Sequence, residues 1–476
     1  YYLSQFAQGR WEWLRGQDLY TSEFTMSTFV GWTNVLLGRI GFLIGLPHWA
    51  SYHLAVVAFT ALFLVLSFKL IQTILPDQPL AQTMSMTLFV LSSPLPAAID
   101  PRNVLAIRPF DYWYNLGNPW NRFGGVPHQL LGNIAIAIIF FTALGRPTST
   151  GKKKLIAWGI LIVSGLVLGS IQPIQWGMVA VALGMTTLVI RPVRAANFLG
   201  VVLVGLGGAL PVWYLSKLFS APPYGLLRVW EATQQVRPGF IDFVMAGGPV
   251  VIVALGGLIG VAKHLTPAKL LILVYTLATT ALFFSPVPTR LALGNVRFLS
   301  SVTFLGYAAI AGSFIPLVPA KLMRIVLGAV VGLLLISFTT WPALLGERVS
   351  YNTNNAYFYL HQGVTAFLQD VQQKTTPQDT ILAVWPFNVS IPGLIGRRVF
   401  NGHPLLTIDA TNKDKTAASL FDGKLSDQEI ATFIKTYRIT HILAYRFTPN
   451  LATLPYLTTV INGDYLVLYR VRQKAE

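Results

Sequence analysis

Residues 52–71 read YHLAVVAFTALFLVLSFKLI, a run whose one full charge, Lys69, stands near its far end. A helix needs about 20 predominantly apolar residues to cross a bilayer, and this stretch meets that length without interruption. Further stretches of similar character follow at roughly 80–98, 129–145, 155–171, 174–190, 197–216, 241–262, 268–285, 298–316 and 325–344. Internal Gly205, Gly207, Gly208 and Pro211 do not argue against a span, since membrane helices tolerate both residue types and use glycine for close packing. The fold expected is mainly α: a polytopic transmembrane helical bundle of about ten spans, with a C-terminal extracytoplasmic α/β domain.

Composition agrees. Of 476 residues 53% are hydrophobic and 11% charged, with a mean hydropathy of +0.57, whereas soluble domains carry about 25% charged residues. With no cysteine, disulfides and thiolate metal sites are excluded. Residues 1–345 hold 22 Lys/Arg against eight acids, and the rest of the chain holds 13 against ten, an ordinary soluble balance. The organisation read from this is 1–50, an extracytoplasmic loop with interfacial helices; 51–345, the transmembrane domain; and 346–476, the soluble α/β domain. Basic residues are scattered between the apolar runs and form no stripe, so nucleic acid is not an expected partner. The excess suits membrane lipid or an anionic substrate.

Lys and Arg in short loops mark the cytoplasmic side. Arg146 with Lys152–Lys154, Arg191 with Arg194, Lys263 with Lys269, and Lys321 with Arg324 form one compact basic set. The alternate connections are longer, rich in Trp, Tyr and Pro, and hold nearly all the acids. Placing them outside puts both residue 1 and the tail outside a cell (inner or plasma) membrane. A further span is then expected upstream of Tyr1. The stretch 25–47 contains Asn34, Arg39 and four glycines and reads as helices lying in the interface.

In the tail, TILAVWP (380–386), RRVF (397–400), ITHILAY (439–445) and YLVLYRV (465–471) read as strands. KDKTAASLF and SDQEIATFIKTY read as amphipathic helices, the second opened by a capping box of Ser426 and Glu429.

Two outer segments carry chemistry. Residues 1–23 include Asp18 and Glu23, and acids near a bilayer tend to be kept for a purpose. Residues 100–129 combine Arg102, Arg108, Arg122 and His128 with Asp111 and with Tyr112, Trp113, Tyr114 and Trp120. Arg forks two donors onto a phosphate, aromatic faces pack on sugar rings, and an acid beside them could act as general base or bind a divalent cation. No cofactor is otherwise called for, and the metal is left open. Gln172 with Gln175, Glu231 with its flanking arginines, and Arg290 with Arg297 occupy the remaining outer connections. No inverted halves and no mid-span acid point to a secondary carrier.

On these residues the chain resembles the GT-C superfamily of polyprenyl-phosphate-dependent glycosyltransferases, near the bacterial lipid-A and protein O-mannosyl transferases. Tyr2, Gly9-Arg10-Trp11 and Tyr20-Thr21-Ser22-Glu23 are similar to the later parts of that family's first-loop pattern. Phe24-Thr25 stand where the family has a Pro-Pro pair, and the family's catalytic acid would fall just before Tyr1. The run Ile391–His403, with Arg122 and Pro127-His128, resembles the tails of large bacterial membrane proteins grouped near these enzymes. The resemblance implies transfer of a sugar, with inversion, from a polyprenyl-phosphate carrier to an extracytoplasmic acceptor. It implies Asp18, Glu23 and Asp111 as acids, and Arg102, Arg108, Arg122, His128 and Arg297 around the phosphate. The competing expectation is a non-enzymatic protein of polysaccharide or lipid export, an assembly factor, or an inactive binder of lipid-linked sugar.

Overall fold

The computed structural model describes residues 1–98, 107–145, 151–190, 195–346, 362–449 and 451–472. The chain divides into two compact units. One comprises Tyr1–Ala55, Leu218–Trp230 and Ser350–Glu476; the other comprises Val56–Lys217 and Glu231–Val349.

The second unit is helical. Among the described residues, six helices are long and apolar enough to cross a membrane: His48–Ile74, Pro127–Gly145, Lys152–Ile171, Phe198–Leu218, Pro267–Phe284 and Ala320–Gly346. The pair Phe240–Gly247 and Pro249–Lys263, bent by 106°, makes a seventh if it is one broken span. Pro79–Leu91, Pro173–Val189 and Ser301–Leu317 are apolar but shorter. Each run read from the sequence is thus mostly helical, 241–262 as two helices and 80–98 only as far as Leu91, and among the described residues six, or seven with the bent pair, have spanning length. Glycines let several of these helices touch backbone to backbone. A Cβ on Gly257 would lie 2.0 Å from the Ile310 carbonyl oxygen, and one on Gly260 would lie 1.9 Å from that of Ser313. Only glycine permits so close a crossing.

One side chain organises the centre of this unit. Asn118 caps the short helix Pro119–Phe123 by accepting from the Trp120 amide at 3.0 Å. That helix aims Arg122 inward, where the side chain is 1% exposed. Its Nε donates to the Leu116 carbonyl at 2.9 Å, and its Nη2 to those of Gly117 at 2.7 Å and Ser92 at 3.1 Å. Its Nη1 donates to the Phe89 carbonyl. Phe89, Phe123 and Phe304 surround the guanidinium, the nearest ring centroid 5.2 Å away. Ser301 then donates to the Arg122 carbonyl at 2.9 Å. Arg122, expected from the sequence among the phosphate contacts, here directs its donors to carbonyls that would otherwise be buried and unpaired.

In the first unit, helix Tyr2–Gln8 packs on Trp32–Leu43, with Gly38 set against the Phe6 carbonyl. At 12 residues the second helix is about 18 Å long. It carries Ile40, Phe42, Leu43 and Ile44 exposed at its end. The C-terminal part is a five-stranded sheet. Its strands, after a two-residue pairing of β1 (Pro96–Ala98) with β2 (Arg108–Pro109) in the other unit, are β3 (Thr380–Ala383), β4 (Arg398–Val399), β5 (His441–Tyr445), β6 (Leu457–Asn462) and β7 (Leu466–Val471). The order is β4-β3-β5-β7-β6, the first three parallel and the last two antiparallel.

Alternation along the strands gives the sheet two apolar faces. Leu382, Ile442 and Ala444 pack with Leu420, Ile430 and Phe433 on one side; Ile381, Ala383 and Leu443 pack with Leu368, Val371 and Ile391 on the other. The Ser426 capping box forms as read, the serine amide donating to Glu429 Oε2 at 2.8 Å. Strand β6 was not read from the sequence, because Thr458 and Thr459 interrupt its apolar pattern with exposed residues.

Replacing Arg122 by Met should cost at least about 3 kcal/mol, because four carbonyls lose their donor in a dry interior. Arg122→Lys should recover little, since one ammonium cannot reproduce the fork. Thermal unfolding of the detergent-solubilised chain measures both; a melting temperature unchanged in the Met variant would overturn this role for Arg122.

Candidate active site

Asp18 and Glu23 are held in a closed loop. Gly16 and Thr28 exchange backbone hydrogen bonds of 2.9 Å in each direction, so residues 17–27 leave and return at one point. Gln8, from the preceding helix, accepts from the Gln17 amide at 2.7 Å and donates to its carbonyl at 3.0 Å. Within the loop, Asp18 Oδ1 accepts from the Tyr20 amide at 2.9 Å, an Asx turn.

The loop lies along the β4 edge of the sheet. Val399 donates to the Leu19 carbonyl at 2.9 Å, Ser22 donates to the Phe400 carbonyl at 3.2 Å, and Thr21 bridges to Asn401. Thr407 Oγ1 donates to the Tyr20 carbonyl at 2.7 Å. All but the Thr407 contact belong to the run Ile391–His403, so two motifs far apart in sequence meet. Gly396, at φ +65°, leaves room for the Trp11 ring, whose nearest atom would be 2.9 Å from a Cβ there.

Two buried cations join the loop to the sheet. Arg398 Nη1 donates to the carbonyls of Asp18 at 3.1 Å and Glu23 at 2.9 Å, and Nη2 to Gln17 Oε1 at 2.8 Å. Phe24 lies over the guanidinium with its centroid 4.4 Å away. Lys413 Nζ donates to Thr21 Oγ1 at 3.1 Å, Ser22 Oγ at 2.9 Å and Glu23 Oε2 at 2.6 Å. Sequence reasoning missed both as site residues. For Lys413 the signal was present: Lys413, Ala417 and Leu420 are spaced i, i+4, i+7 and form the buried face of their helix. A lysine on an apolar stripe needs an acid, and Glu23 is that acid.

The two loop acids differ. Asp18 is 3% exposed and its Oδ2 has no hydrogen-bond partner. Burial pushes its carboxyl up to about 7, against the opposing pull of the Tyr20 amide, Arg398 and Lys413. Glu23 keeps 38% of its side chain exposed. Burial raises it, but hydrogen bonds from Lys413 and Thr21 outweigh that, and it stays below the usual Glu value. Glu23 is therefore the ionised, reachable carboxylate of the loop.

The other residues singled out from the sequence lie in the helical unit. Asp111 is exposed and lines a cleft of about 320 Å³ with Tyr112, Phe110, Pro238 and Asp242. Arg108 is exposed on β2. Arg102 lies outside the described residues. Arg297 is forked onto Glu231, Nε to Oε2 at 3.1 Å and Nη2 to Oε1. His128, at the start of its helix, lies within electrostatic reach of Arg297. Gln175 is used structurally: it donates to the carbonyls of Arg297 at 2.8 Å and Phe298 at 2.9 Å and accepts from Tyr275 at 2.6 Å. No cluster of three or more metal-ligating side chains occurs among the described residues.

No family model matches the sequence, and no curated protein does. Solved structures do. ArnT from Cupriavidus metallidurans, bound to undecaprenyl phosphate, is 14% identical with a TM-score of 0.52, over 98% of this chain and 92% of ArnT. The mycobacterial arabinofuranosyltransferase AftD is 13% identical with a TM-score of 0.52, over 99% of this chain and 39% of AftD. The fold is GT-C-like. The GT-C-like frame also aligns with the Archaeoglobus fulgidus oligosaccharyltransferase AglB in complex with an inhibitory peptide and a dolichol-phosphate. There the TM-score is 0.49 at 12% identity, and the chain spans 65% of AglB's length.

Because Asp18 favours its neutral form in the folded state, it contributes stability below the ordinary Asp range near 3.8 and loses it as pH rises through about 7. From about pH 4 to about pH 8 this should lower stability by on the order of a few kcal/mol. Asp18→Asn should flatten that slope. Melting temperatures across the pH series decide it, and equal slopes in both proteins would sink the assignment.

Proposed function

We propose that this chain is an integral-membrane glycosyltransferase that moves a sugar from a polyprenyl-phosphate donor to an acceptor outside the cytoplasm. The observation that carries the reading is a GT-C-like frame extending over 98% of the chain, with a half-exposed, ionised carboxylate in the first loop. ArnT is bound to undecaprenyl phosphate in the structure it resembles. In the proposed reaction Glu23 removes the proton of an acceptor hydroxyl. The freed oxygen attacks the anomeric carbon, and the bond from that carbon to the phosphate oxygen breaks. Polyprenyl phosphate leaves with the electron pair, and the configuration at the sugar inverts. Asp111 is the proposed second acid, and Arg108 and Arg297 the proposed phosphate contacts. Asp18, buried and near-neutral in its preference, is assigned support of the loop in place of proton transfer.

We also propose that all ten apolar helical runs enter the bilayer, with the C-terminal domain outside. Since the chain has no cysteine, a single introduced thiol reports its own side. Ser426→Cys in intact cells should react with a membrane-impermeant maleimide, and Lys153→Cys should react only after permeabilisation. The reverse pattern would overturn the orientation.

Undecaprenyl phosphate should raise the melting temperature of the purified chain where undecaprenol does not. Saturation to 100 times Kd is worth about 2.7 kcal/mol. Glu23→Gln should keep this shift and abolish transfer from an undecaprenyl-phosphate-linked radiolabelled sugar to membrane extract. No phosphate-dependent shift would sink the donor assignment; a shift with no transfer by the wild type would make the chain a binder of lipid-linked sugar.

A further inference from the structure

We propose that Lys413 and Arg398 of the C-terminal domain are positioning residues for Glu23, so that this domain is a working part of the active site. The inference rests on the reading of Glu23 as the reacting carboxylate.

The geometry is more specific than domain attachment requires. An ammonium removed from water is costly unless its donors are filled, and Lys413, 2% exposed, fills them almost entirely from the loop. Three acceptors are consecutive loop residues, Thr21, Ser22 and Glu23; the fourth interaction is a long one to the Phe400 carbonyl at 3.4 Å. The rings of Phe400 and Tyr437 stand 5.1 and 5.7 Å from Nζ and bar water from that side. Thr21 also donates to Glu23 Oε2, so that oxygen is located by two groups.

Arg398 fixes the same loop by its backbone. Its Nη1 meets the carbonyls of Asp18 and Glu23, and that of Thr21 at 3.4 Å, which sets the path of the chain on both sides of the acid. It is buried and forms no ion pair of its own among the described residues. One cation therefore holds the carboxylate and the other holds the backbone that carries it, while 38% of the Glu23 side chain stays open to a reactant.

A merely structural role would leave the chemistry of Glu23 alone, and this one does not. The Lys413 ammonium keeps the carboxylate ionised at lower pH, so its loss should move the acidic limb of the pH–rate profile to higher pH.

The test uses the full chain in nanodiscs. In Lys413→Met, amide exchange at residues 16–28 should accelerate by more than about tenfold, while β5 and β7 keep wild-type protection. Lys413→Arg should restore much of it. With undecaprenyl-phosphate-linked radiolabelled sugar as donor, the Met variant should lose about 100-fold in kcat, the scale of a misplacement near 1 Å. KM for the donor should stay near wild type and the acidic limb should shift upward. A loop as protected as in the wild type would overturn the clamp. A freed loop with an unmoved acidic limb would overturn the positioning role while leaving Glu23 as base. Wild-type protein that exchanges as described but transfers no sugar would defeat the functional reading itself, and the positioning role with it. Loss of protection throughout the sheet would identify Lys413 as a folding residue and overturn the proposal.

Discussion

A cation taken out of water must find an acceptor for its N–H groups, or the fold that buried it fails. Both units of this protein are arranged around that requirement. Arg122 is answered wholly by backbone carbonyls, at the end of one helix, in the turn after it and in its own loop. Arg398 is answered at Nη1 and Nη2 by carbonyls and one amide oxygen, its Nε finding no acceptor among the described residues, and Lys413 by hydroxyls and a carboxylate. Breaking such an arrangement typically costs about 3–5 kcal/mol, because the charge that remains is uncompensated. Each of these side chains is thus a geometric constraint on the backbone around it.

Placed beside such cations, the two acids of the first loop separate in character. Asp18 faces the interior and takes the neutral form readily; Glu23 takes a lysine partner and stays charged. Five residues apart, they would be indistinguishable by residue type alone. Divergent environments for paired carboxylates are how one site supplies both a proton-holding and a proton-accepting group.

Much of the fold was legible from periodicity. The apolar runs become helices, and the β-branched runs of the tail become strands where expected. Length was less legible, because Pro249, the break after Gly247 and the short segments 79–91 and 301–312 depart from continuous spans without ceasing to be apolar. In the candidate site the loop acids stood out in the sequence, whereas the cations that hold them did not. Arg122 sits among aromatic and polar residues that suggest a ligand loop, and nothing local shows that Asn118 turns it inward. Arg398 and Lys413 lie some 375 to 392 residues from the partners that give them meaning. A single sequence states that Lys413 falls on a buried helix face, but the identity of the acid it meets is a fact of topology.

That separation has a consequence for biosynthesis. The strand-like segment beside β4 leaves the ribosome some 375 to 392 residues before the groups of the sheet domain that hold it. At about 5–20 residues per second the interval is on the order of 20–75 s, during which the apolar helices are inserted. Throughout it the loop has neither its strand neighbour nor its lysine, and its buried-to-be threonines and carbonyls stay hydrated. The sheet is consequently no detachable cassette: one of its edges is written some 375 residues upstream of the rest.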